Sequence, residues 1–146
     1  MEQKVESPFL LELRRHLQEE TPRTEALRAA FVPLDHLLAD IATDQQILYD
    51  GPGVGLGIQP NLHRLRIAQP HWTGSERAWG LAVCSYAGQG EPRSEWRIAR
   101  ASRERLPVIL RALPEFFHGY AEMALREHPS RGSSRRLQEI ARLLGR

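Results

Sequence analysis

The chain has 146 residues, of which 41% are apolar and 26% charged, with a formal net charge of +2. These proportions fit one ordinary globular domain and argue against global disorder, and no apolar run approaches the ~20 residues of a transmembrane helix. The near-neutral total hides an asymmetry: residues 1–50 carry −5 and residues 51–146 carry +7. Such a split points either to a charged partner or to two halves that neutralise each other.

Cys84 is the single cysteine, so no internal disulfide can form and a reducing cytosol is the expected setting. Residues 1–8 lack a basic segment followed by a long apolar one, so no signal peptide is expected. The 20 basic residues are Lys4 and 19 arginines. That bias follows either from GC-rich coding or from use of the guanidinium fork on phosphate and carboxylate.

In chain order, Leu10, Leu13 and Leu17 recur at helical spacing, with Ser7 and Pro8 as cap and first helical residue. A second helix is expected from Thr21 or Thr24, its apolar face running through Leu27, Ala30, Phe31, Leu34, Leu38 and Ile41. Pro33 is expected to kink or break it. Gly51, Gly53, Gly55 and Gly57 alternate, which predicts a loop, at most entering a weak strand through Ile58. Period-two alternation then predicts strands over 62–68, 78–86 and 95–99, forming an antiparallel meander.

Ser102 is expected to cap a further helix with the buried stripe Leu106, Ile109, Leu110, Leu113, Phe116, Phe117, Tyr120, Met123 and Ala124. Pro114 is expected to kink it or begin another helix. A linker over 129–134 and a last helix over 135–144 complete the chain. The predicted fold is α+β: one domain over 1–146, with an acidic helical part (1–48), a β meander (49–101) and a basic helical part (102–146). Its three- or four-stranded antiparallel sheet has the N- and C-terminal helices packed on one face.

Alternation places Leu65, Ile67, Trp79, Leu81, Val83, Trp96 and Ile98 on the helix-facing side of that sheet. The other side receives Arg64, Arg66 and Ala68, then Gly80, Ala82, Cys84 and Tyr86, then Glu95, Arg97 and Ala99, a small basic surface with one aromatic. Arginines beside an exposed ring suit single-stranded nucleic acid. The competing readings are a solvated outer face, or an acidic helix over 21–46 folded across it. Arg131, Arg135, Arg136 and Arg142 make the final helix basic.

No catalytic or metal signature emerges. The Gly-rich segment lacks the Lys and Ser/Thr of a phosphate loop. His36 and Asp40 share a helix face but lack further ligands, and His118, beside the buried stripe, is expected to be a packed or interfacial residue rather than a base. Cys84 lies mid-strand with nothing to activate it. Neither cofactor, metal nor membrane is expected. The leading expectation is a non-enzymatic cytoplasmic protein of bacterial type that binds nucleic acid, or an acidic protein, through the sheet face and the C-terminal helix.

Two alternatives accompany it. One is a homodimeric adaptor, chaperone or inhibitor, because the stripe Leu113–Met123 is large for a small sheet to cover. The other is a ligand-binding domain or enzyme with a pocket lined by Trp72, Trp79, Trp96 and Tyr120.

Overall fold

A computed structural model describes residues 8–55, 63–68, 79–85 and 94–145; the side chains of residues 94–96 and 99 lie outside that description. The order is α1 (Pro8–Leu17), α2 (Thr24–Gln45), β1 (Tyr49–Val54), β2 (His63–Ala68), β3 (Gly80–Ser85), β4 (Ser94–Arg97), a 3₁₀ turn (Ile98–Arg100), α3 (Leu106–Glu127) and α4 (Gly132–Leu144). The fold is α+β. Its four strands form one antiparallel meander, β1-β2-β3-β4.

The molecule has three layers. Leu65, Ile67, Leu81 and Val83 point from the sheet into the core, where α2 packs against β3 and α3 against β1. Helices α1 and α4 pack on those two helices rather than on the sheet. The central layer is therefore apolar on both sides, and Phe31, Phe116 and Phe117 are wholly buried in it. Truncating any one to Ala is expected to cost about 3–5 kcal/mol.

Both helical prolines sit inside continuous helices. Neither Pro33 nor Pro114 ends or divides its helix. Each removes one backbone hydrogen bond, and each helix buries apolar side chains before and after the proline, which holds the two halves in line. Helix α2 ends at Gln46, whose left-handed φ of 53° lets its amide donate to the Ala42 carbonyl at 2.8 Å.

Residues 49–54, the first part of the Gly-rich segment, form a strand rather than a loop, and Gly57 and Ile58 lie outside the described residues. The pairs Asp50↔Arg66 and Gly53↔Arg64 leave one extra residue in β1, a bulge that takes Pro52 at an edge where no ladder donor is needed. Gly51 is required by contact: a Cβ there would stand 2.8 Å from both the Leu65 carbonyl and the Phe116 ring.

The other boundaries shift by a few residues. Ser102 caps no helix; its carbonyl closes a turn with the Arg105 amide, and α3 starts at Leu106 with Pro107 in its first turn. The expected linker ends sooner, because α4 begins at Gly132. Ser133 and Ser134 then face the end of α2. Gln45 Nε2 donates to Ser133 Oγ (2.7 Å) and Ser134 Oγ (2.8 Å), and Ser134 Oγ donates to the His128 carbonyl at 2.7 Å. The Ser133 hydroxyl donates to Asp44, and Arg131 Nη1 donates to the Asp44 carbonyl at 2.6 Å.

Candidate functional site

The cross-strand register sets the charges of the outer sheet face in rows. One row reads Asp50–Arg66–Ala82–Arg97 and the next Gly53–Arg64–Cys84–Glu95. Arg66 Nε lies 3.0 Å from Asp50 Oδ1, and Arg64 donates to the Gly51 carbonyl at 3.2 Å. Arg97 Nη1 lies 3.5 Å from Asp35 Oδ2 on α2. Each of the three therefore has a partner within the chain, two of them aspartates of the acidic first part.

The face is also more covered than alternation alone suggested. Ala82 and Cys84 are fully buried and Ala68 nearly so, although they point away from the helices. Cross-strand arginines flank Ala82, and such stems lie along apolar surface while the guanidinium stays wet. Tyr86, the expected aromatic of this face, lies outside the described residues.

Arginine ties recur elsewhere. Arg28 donates to the Ala101 carbonyl at 2.8 Å, and Arg111 to the Glu20 carbonyl at 3.0 Å. Part of the arginine content thus binds backbone carbonyls within the chain, an internal use that composition could not reveal.

Helix α4 differs from the sheet face. Leu137, Ile140 and Leu144 are buried, and Arg131, Arg135, Gln138 and Arg142 are exposed at spacings of four, three and four. They form one stripe; half-buried Glu139 borders it, four residues from Arg135 and three from Arg142, and Glu122 of α3 lines a groove with Gln138 and Arg142. At 1.5 Å per residue the stripe is roughly 16 Å long. Arg136 points elsewhere and is half-buried. Because α4 packs on helices, this stripe and the outer sheet face lie in different layers, so the fold does not merge them into one surface.

Two other expectations are corrected. The stripe Leu113, Phe116, Phe117 and Tyr120 is wholly buried within the single chain, covered by β1 and α4, and Met123 is only partly exposed. The stripe itself is therefore not exposed to a second copy. Nor does Tyr120 line a pocket: it is sealed in the core, stacked on Tyr49 with ring centres 5.3 Å apart. Burial pushes the Tyr120 hydroxyl well above the ordinary phenol range, and its oxygen has no hydrogen-bond partner among the described residues. Trp72 and the Trp96 side chain lie outside the described residues. His118 is exposed rather than packed, 3.5 Å from Glu122.

A cleft does exist where α2 meets the beginning of β3 and the end of β4. It has a volume of about 190 Å³ and is lined by Asp35, His36, Asp40, Trp79, Gly80 and Arg97. Alternation places Trp79 on the helix-facing side of the sheet, and helical spacing pairs His36 with Asp40. The contribution of Asp35 was not legible, because an aspartate on the apolar stripe of α2 gives no sign of its partner. Burial pushes its carboxyl above the usual range, against the opposing pull of Arg97 and His36. Among the described residues no group of three or more His, Cys, Asp or Glu is placed to hold a metal ion. No helix is long and apolar enough to cross a membrane. Comparison with protein-family models, curated proteins and solved structures found no match to this chain.

Proposed function

We propose that the protein is a non-enzymatic binding protein that engages nucleic acid through the exposed face of α4. The observation behind this reading is the pair of exposed arginines, Arg135 and Arg142, that share one face of α4 with Gln138. Arginine forks match phosphate oxygens, and a pair of them on one helix face suits a phosphate backbone. Arg64, Arg66, Arg97 and Arg131 serve this reading less well, since each already meets a carboxylate or carbonyl within the chain.

Fluorescence anisotropy with short duplex and single-stranded oligonucleotides across a salt series tests it. If Arg135 and Arg142 reach phosphates, log K falls against log salt with a slope of about −1 to −2. The double variant Arg135→Ala/Arg142→Ala should remove most of that slope, whereas Arg64→Ala should leave it nearly unchanged. Absence of binding at low salt, or an unchanged slope in the double variant, would overturn the reading.

A further inference from the structure

The cleft between α2 and the sheet is separate from the α4 stripe, and three of its properties define what it can hold. Its volume of about 190 Å³ is the first. Small-molecule sites usually span ~300–1,000 Å³, so this one is too small for a nucleoside and suits a single small headgroup.

Charge is the second. Asp35 and Asp40 outnumber Arg97, so the described residues of the lining sum to −1 with histidine neutral. Exposed Asp40 has no ion-pair or hydrogen-bond partner among the described residues, and Trp79 adds an aromatic wall beside it. Ring faces attract cations, more strongly where water is excluded.

The third property is the state of Asp35. Its side chain is 9% exposed, and Arg97 at 3.5 Å is its one partner among the described residues. Charge-assisted hydrogen bonds run at ~2.7–2.9 Å, so this contact leaves acceptor capacity on a buried carboxylate that lines a cavity. Burial outweighs Arg97 in setting the affinity of Asp35 for protons, which shows that the pair is incompletely compensated.

We propose that this cleft binds a small organic cation, an alkylammonium or guanidinium group, with Asp40 as the exposed carboxylate, Asp35 as the buried one and Trp79 as the aromatic wall. The cation is either a free amine or the tip of a Lys or Arg side chain from another protein. The proposal does not depend on nucleic-acid binding by α4.

The test uses the full chain, followed by amide and indole NMR shifts. Methylguanidinium, n-butylammonium, N-acetylarginine amide and the neutral isostere N-methylurea are titrated separately. Saturable shifts at Trp79 and residues 35–40 are expected with the cations, with N-methylurea binding at least about tenfold more weakly. Asp40→Asn, an exposed substitution, should weaken cation binding by about tenfold. Much tighter binding of N-acetylarginine amide than of methylguanidinium would assign the site to a partner's side chain, and comparable binding would assign it to free amines. The proposal fails if no cation saturates the site, if N-methylurea binds as well as methylguanidinium, or if folded Asp40→Asn binds unchanged. Should Asp40→Asn not fold, the comparison of methylguanidinium with N-methylurea on the unaltered chain decides the matter.

Discussion

The guanidinium of Arg97, the last residue of β4, stands 3.5 Å from the carboxylate of Asp35, a buried residue midway along α2. The pair joins the basic strand region to the acidic helix, and it partly neutralises the charge split inside the molecule. Arg97→Met would leave a buried carboxylate without its cation. It is expected to lower stability by about 1–2 kcal/mol, less than for a fully buried pair because Arg97 is 42% exposed. Adding Asp35→Asn should restore part of the loss. Urea unfolding of both single variants and the double variant measures the coupling.

The same aspartate sets a pH dependence. Its folded-state affinity for protons is raised by burial, with Arg97 and His36 opposing. A raised pKa means that the folded state holds the proton more tightly than the unfolded chain. The associated stability is present at low pH and is lost as pH rises through the folded pKa. Asp35→Asn cannot ionise, so its stability relative to the natural chain should grow between about pH 4 and pH 7. Urea midpoints of the two proteins across that range would show it, and parallel curves would contradict it.

Two helical glycines should respond to alanine with opposite signs. A Cβ at Gly119 would overlap the Tyr49 hydroxyl, whereas one at Gly132 meets nothing within 4 Å. Helix propensity alone favours Ala at either site by up to about 1 kcal/mol. Gly119→Ala is nonetheless expected to destabilise by about 1–3 kcal/mol, because Tyr49 is stacked on Tyr120 and packed beside Phe116. Gly132→Ala should stabilise by about 0.4–1 kcal/mol. Thermal unfolding of the two variants distinguishes the signs.

Tyr120→Phe removes a buried hydroxyl that has no hydrogen-bond partner among the described residues. The ring and its contacts with Tyr49 and Phe116 remain. Stability should therefore be unchanged or rise by up to about 1 kcal/mol. A marked loss would reveal a partner for that oxygen.

Ser134→Ala acts in the opposite direction. Its hydroxyl accepts from Gln45 Nε2 and donates to the His128 carbonyl, and the residue is fully buried. Deleting it leaves both groups short of a partner, at an expected cost of about 1–3 kcal/mol. Faster amide exchange at the end of α2 and the start of α4 should accompany the loss.

Periodicity sufficed for what depends on local pattern. The helical spacing of Leu10 and Leu13, and of Leu106 to Ala124, marked faces that are buried in the fold. Alternation through 62–68 and 78–86 located β2 and β3 and identified Leu65, Ile67, Leu81 and Val83 as core residues. These patterns are legible because the burial of a face repeats every 3.6 or 2 residues whatever lies opposite.

Tertiary structure decided the rest, because the deciding partner lay far away in the chain. Gly51 and Pro52 read as a loop until β2 supplied a ladder and Phe116 a surface with no room for a side chain. Pro33 and Pro114 read as breaks until packing on both sides outweighed one missing hydrogen bond. The aromatic stripe of α3 read as excess until β1 and α4 covered it. Charge followed the same rule. Composition showed that an acidic part and a basic part exist, but only the fold placed Arg97 against Asp35 and Arg66 against Asp50, leaving Arg135 and Arg142 on an open helix face. A charge's influence depends on its distance to other charges and on the water between them, and neither is a property of sequence spacing.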